Sequence, residues 1–186
     1  MTNIDNTEDN LLKKYTLVEQ KSIKGKIILN NQENFEEFLK NSFNNTSFQK
    51  FYFGKIGEKL ATFIKSKTGV DVNNYNLSLR SDTVKKIINS HGTEKEFLRG
   101  QIPITYEEIK NIPQVVAKPD IVSKNGTSAQ GKPAITFSKD IDGMTYVVTY
   151  ISDKHKNLEV QTMYKHKKIE PVTVQDVDIQ PPQQTS

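Results

Sequence analysis

The 186-residue sequence contains no cysteine. That excludes a disulfide framework, a cysteine-ligated zinc site and a cysteine nucleophile. No stretch approaches the roughly 20 consecutive apolar residues that cross a bilayer, so no membrane partner is expected. There are only three histidines, and no His-Glu-x-x-His, EF-hand spacing, glycine-rich phosphate loop or Gly-x-Ser-x-Gly. Neither a metal nor a cofactor is therefore expected. Met1–Asn10 carries Asp5, Glu8 and Asp9 without an apolar run, unlike a signal peptide, and a cytoplasmic location is the expectation.

What is present suits one domain with flanking pieces. Hydrophobic residues make up 34% of the chain, and nine Phe and seven Tyr supply core material. The net charge is +4; residues 169–186 hold −3 of it, leaving +7 on the other 168. A basic body suits an anionic partner such as nucleic acid, and equally suits a merely soluble surface. Residues 1–10 are expected to be disordered. So is the acidic tail at 169–186, where Pro171, Pro181, Pro182, Gln183 and Gln184 offer no apolar face.

Residues 11–79 read as a helical N-terminal region. Phe35, Phe38, Leu39 and Phe43 recur at helical spacing, as do Ile56, Leu60, Phe63 and Ile64 before a closing Gly69. Ser81 or Asp82 can cap a further helix carrying Val84, Ile87, Ile88 and His91, with Gly92 as a left-handed stop. Thr93-x-x-Glu96 and Thr105-x-x-Glu108 each match a capping box, the second helix ending at Pro113. From Val115 the hydrophobic period changes to two. Val115–Val116 and Ile121–Val122 flank Pro119, Asp142-Gly143 marks a hairpin turn, and 134–138, 145–151 and 158–164 read as strands. Leu158, Val160, Thr162 and Tyr164 are expected on one face. The fold class is α+β: N-terminal helices, then a small antiparallel sheet spanning 115–168, with residues 80–168 as the domain that carries the chemistry.

His91 is the leading candidate for proton transfer. It ends a helix, where exposed carbonyls favour an imidazolium by roughly 0.3–1 kcal/mol. The same position also suits a capping histidine packed against Val84 and Ile87. Thr162 and Tyr164 lie near the end of a strand, where hydroxyls can orient a histidine or bond a phosphate, and Lys165-His166-Lys167-Lys168 follows. Arg99, beside Gly100, can take an anion bidentately or pair with Glu94 or Glu96. Lys86 projects from the polar side of the His91 helix.

At these residues the sequence resembles a known family. Ile87-Ile88-Asn89-Ser90-His91-Gly92, Glu96, Arg99-Gly100-Gln101-Ile102-Pro103-Ile104-Thr105, Ile112-Pro113 and Pro119-Asp120 look like a phage nuclease signature. Tyr52-Phe53-Gly54-Lys55-Ile56 and Leu158-x-x-x-Thr162-Met163-Tyr164-Lys165 extend it, so it runs from about Tyr52 to Lys168. The family is the barnase–EndoU–colicin–RelE-like nuclease domains of phage head-morphogenesis proteins and prophage polymorphic toxins. The resemblance implies a barnase/RelE-like fold and metal-independent RNA cleavage through the 2′-hydroxyl. It further implies catalytic His91, Thr162 and Tyr164, and phosphate binding by Arg99, Lys165 and Lys86. The implied partners are RNA, with tRNA as one candidate, and a cognate immunity protein, with virion association as an alternative location. One departure stands out: the pattern often has a second histidine near the position of Lys86. Its loss here motivates the alternative of a catalytically inactive phage accessory or interaction protein.

Overall fold

The computed structural model describes residues 32–44 and 48–168. The expectations for residues 1–10, for 11–31 and for the tail from 169 lie outside them. The elements run α1 (Gln32–Asn44), β1 (Lys50–Lys55), α2 (Glu58–Thr68), β2 (Asn76–Arg80) and α3 (Ser81–His91). Then come a 3-10 turn (Glu94–Arg99), β3 (Gln101–Ile102), α4 (Tyr106–Ile109) and α5 (Ile112–Ala117). Strands β4 (Ile121–Thr127), β5 (Pro133–Asp140), β6 (Met144–Ser152) and β7 (Asn157–His166) complete them. The seven strands form one sheet in the order β1-β2-β7-β6-β5-β4, with β3 pairing along the end of β7.

Apolar spacing explains the helices. Phe35, Phe38 and Leu39 of α1 and Leu60, Ala61 and Ile64 of α2 are buried, and Gly69 stops α2 with a φ of 75°. In α3, Val84 and Ile87 are buried without any solvent exposure. They join Leu77, Leu79, Ile112, Val115, Val147, Val160 and Met163 in one core. Full burial of each such side chain contributes about 1.5–3 kcal/mol. The cap of α3 differs from expectation. Arg80 is its N-cap residue, while the Ser81 hydroxyl instead accepts from the backbone N–H of Gln49 at 3.0 Å.

The expected helices-then-sheet order holds only loosely. Strands β1 and β2 lie inside the region read as helical, and β2 pairs parallel to β7, so the sheet is mixed. Val115 and Val116 belong to helix α5, not to a strand, because Pro113 sits in its first turn where its missing N–H costs nothing. The antiparallel meander starts at Ile121, and its hairpin turns at Asp142 and Gly143, which both have positive φ.

A bulge on β7 corrects the facing of the last strand. Thr149 pairs with Val160 but Val148 pairs with Thr162, leaving Gln161 as the extra residue. Strand side chains alternate between faces, so one inserted residue reverses the alternation. Leu158, Val160, Met163 and Lys165 turn inward, whereas Thr162, Tyr164 and His166 share the half-exposed face with Tyr146, Val148 and Tyr150.

Candidate active site

His91 is held from both sides. Its carbonyl accepts from the N–H of Ile104 at 2.6 Å, and the N–H of Gly92 donates to Ile88 O at 2.8 Å. Gly92 is not left-handed, since its φ is −99°. Glycine is needed there for space: a Cβ would lie 2.5 Å from the Ile88 carbonyl oxygen and 3.1 Å from that of Ile104. Gly92→Ala is therefore expected to lower stability by about 1–3 kcal/mol, as overpacking does, and to displace the imidazole. A denaturation midpoint equal to the parent's would contradict this.

The imidazole Nδ1 is 2.9 Å from Glu96 Oε2, and Arg99 Nη1 donates to Glu96 Oε1 at 2.9 Å. Glu96 is only 1% exposed, so it is a buried carboxylate shared by an imidazole and a guanidinium and not the capping-box residue expected from its spacing. An ionised carboxylate only accepts, which places the Nδ1 proton on the imidazole. Nε2 then carries the exchangeable lone pair or proton. The imidazole side chain keeps 19% exposure, and the Arg99 side chain keeps 61%.

The ring of His91 lies 5.9 Å from that of Tyr164, which stacks on Tyr146 at 4.9 Å and 9°. His166 meets both tyrosines edge-on, at 5.7 Å from Tyr164 and 5.5 Å from Tyr146. Burial, followed by the neighbouring Tyr146, raises the pKa of Tyr164, so its hydroxyl stays a donor at neutral pH. Thr162 precedes Tyr164 by two residues on the same face, opposite Val148. The helix end thus brings His91 to Tyr164, whose strand face also carries Thr162, while Arg99 is joined to His91 through Glu96.

Two of the expected cations stand elsewhere. Lys165 points into the interior, 7% exposed, with Nζ 2.8 Å from Glu108 Oε1. Its expected place at a phosphate rim is not the one it occupies. The bulge explains this, since it gives Tyr164 the outer face and Lys165 the inner. Lys86 is exposed and borders a small pocket of about 230 Å³ with Arg80, Thr83 and Gln161, toward the middle of β7. The pairing of Arg99 with Glu96 is the one the sequence offered, whereas the bond of Glu96 to His91 and the places of Tyr146 and His166 beside Tyr164 were not singled out from the sequence. For His166 the signal was available: it follows Tyr164 by two in a strand, and hence shares its face. Among the described residues no three His, Asp or Glu side chains are grouped so as to hold a metal, and no helix is long and apolar enough to cross a membrane.

Comparison with known proteins gives one match. The family model described as phage-Barnase-EndoU-ColicinE5/D-RelE like nuclease 3 matches residues 54–170, well over half of the chain. No curated protein and no solved structure matches.

Proposed function

Since the chain belongs to the phage-Barnase-EndoU-ColicinE5/D-RelE like nuclease 3 family, and is thus a nuclease-family protein with a nucleic acid as its substrate class, we propose that it cleaves RNA as a metal-independent toxin domain of phage or prophage origin. The observation that carries this reading is the imidazole of His91, oriented through Nδ1 by a buried carboxylate, next to a second imidazole across Tyr164.

Attack of a 2′-hydroxyl on the adjacent phosphorus needs a base at that hydroxyl, an acid at the leaving 5′-oxygen and donors around the phosphorane. His91 and His166 flank Tyr164 and supply the two proton carriers. With Glu96 fixing the Nδ1 proton, Nε2 of a neutral His91 accepts a proton and Nε2 of an imidazolium gives one up. Arg99, anchored on the same carboxylate, and the hydroxyls of Tyr164 and Thr162 supply donors for the developing charge. In this reading His166 takes the part that the family pattern often gives to a histidine near Lys86.

The test is incubation of the full chain with single-stranded RNA in the presence of EDTA. Cleavage that persists, leaving 2′,3′-cyclic phosphate ends, is the expected result; cleavage only on adding a divalent cation would refute metal independence. Glu96→Gln should keep a bond to one partner yet lose the charge that stabilises the imidazolium, lowering kcat by about tenfold to a hundredfold while KM changes little. The position of Lys86 favours one other reading, a binding protein with the nuclease fold. RNA that is bound and never cut would establish it.

A further inference from the structure

A second concavity lies apart from His91. A pocket of about 840 Å³ opens on the sheet where β1, β2, β6 and β7 meet, lined among others by Tyr52, Tyr150, Lys50, Arg80, Lys132 and Asn157. Resting on the cleavage reading above, we infer that this pocket is a nucleotide subsite, which holds one base and its phosphate of a single-stranded RNA a few positions from the bond that is cut.

Alignment with the cleavage cluster comes from the strands themselves. Tyr146, Val148 and Tyr150 alternate with the buried residues of β6 and so share one face. Tyr146 belongs to the His91–Tyr164 cluster and Tyr150 to the pocket. Four residues of strand separate them by about 13 Å. Gln161, the bulged residue, lies between the two on β7 and also lines the pocket. A strand laid along β6 and β7 therefore meets both.

The lining has the three components that a nucleotide needs. Tyr52 and Tyr150 offer ring faces for stacking, which is available only to an unpaired base. The lining holds Lys50, Arg80 and Lys132 and a single carboxylate, Glu159, so it is net positive. Lys50 and Arg80 already engage Glu159 at 2.7 and 3.9 Å, whereas Lys132 makes no ion pair among the described residues. Asn157, 5% exposed, donates from Nδ2 to Ser78 at 2.9 Å, and its Oδ1 is buried without a partner. A buried polar atom left unbonded is destabilising, and a base edge that bonds the Asn157 amide removes that cost. The volume suits a ligand of nucleotide size.

Binding is measured with the full chain carrying His91→Asn, so that RNA stays intact, using fluorescent oligoribonucleotides of two and eight nucleotides and an eight-base-pair RNA duplex. The eight-nucleotide strand should bind about tenfold or more tightly than the dinucleotide. Tyr150→Ala should erase that gain, within the about 5- to 150-fold that stacking of one base contributes, while Tyr150→Phe keeps it. Lys132→Ala should reduce the salt dependence by about one phosphate contact. Unchanged length dependence in Tyr150→Ala overturns the subsite, and duplex binding as tight as single-strand binding overturns its restriction to unpaired bases. The two readings fail separately. A parent that binds RNA with the expected length dependence and never cuts it loses the cleavage reading and keeps the subsite; a parent that cuts RNA, with Tyr150→Ala binding as before, loses the subsite alone.

Discussion

His91→Ala is expected to lower RNA cleavage by about 10²- to 10⁴-fold, the range supplied by one positioned acid–base group. The substitution has a second effect that must be separated from the first. Glu96 is almost wholly buried and shares its two oxygens between His91 and Arg99. Removing the imidazole leaves one oxygen without its partner, at a cost of about 1–3 kcal/mol. His91→Asn is the sharper variant. An asparagine amide can donate to Glu96 from near the place of Nδ1 but cannot carry a proton at neutral pH. It should unfold at nearly the parent's denaturant midpoint and cleave as poorly as His91→Ala. Parental cleavage by His91→Asn would remove His91 from the chemistry.

Lys165→Ala should chiefly reduce stability. The ammonium pairs with Glu108 where Lys165 is 9% and Glu108 19% exposed by side chain. Breaking a fully buried pair from one side costs about 3–5 kcal/mol; with a fifth of Glu108 open to water, about 2–3 kcal/mol is expected. Glu108 also closes the capping box of α4, accepting from the Thr105 N–H at 2.8 Å through its other oxygen. Changing it alone would therefore cost the cap as well. The diagnostic comparison is Lys165→Met against Lys165→Met with Glu108→Gln. The double variant should recover part of the loss, because no carboxylate is then left unpaired. A loss of RNA affinity with full stability in Lys165→Ala would return this residue to the phosphate-binding role that its basic surroundings suggest.

The contrast between His91 and Lys165 shows what sequence periodicity can carry. Helices α1, α2 and α3 were legible because Phe35 to Phe43, Ile56 to Ile64 and Val84 to His91 each repeat an apolar stripe over two turns or more. The Asp142-Gly143 hairpin was legible from turn chemistry. Strands β1 and β2 were not: each is short, and Phe51 and Phe53, or Leu77 and Leu79, alternate over too few positions to stand out beside α2. Val115-Val116 looked like strand because the hydrophobic period changes there, yet Pro113 starts a helix through them. The bulge at Gln161 leaves no mark in composition, and that one residue decides which of Tyr164 and Lys165 faces outward. Glu96 fitted a capping box by spacing, but its carboxylate is used by side chains three and five residues away. Spacing thus placed His91 at a helix end and Arg99 beside Glu96, while the facing of Tyr164 and the bond between His91 and Glu96 depend on tertiary placement.

The position of β7 in the sheet has a bearing on how the molecule is made. It is the last described strand in the chain, yet β2, β3 and β6 all pair with it, from Asn76 with Asn157 to Gln101 with His166. Closing loops of that length is entropically slow, and neither half of the sheet has a centre until it happens. A chain still emerging from the ribosome therefore has α3 and its histidine but no Tyr164, no His166 and no platform under them. Translation order withholds the assembled site until His166 has left the ribosome. Under the proposed RNA cleavage, the message and the ribosome producing it meet no completed site while the preceding strands are being made.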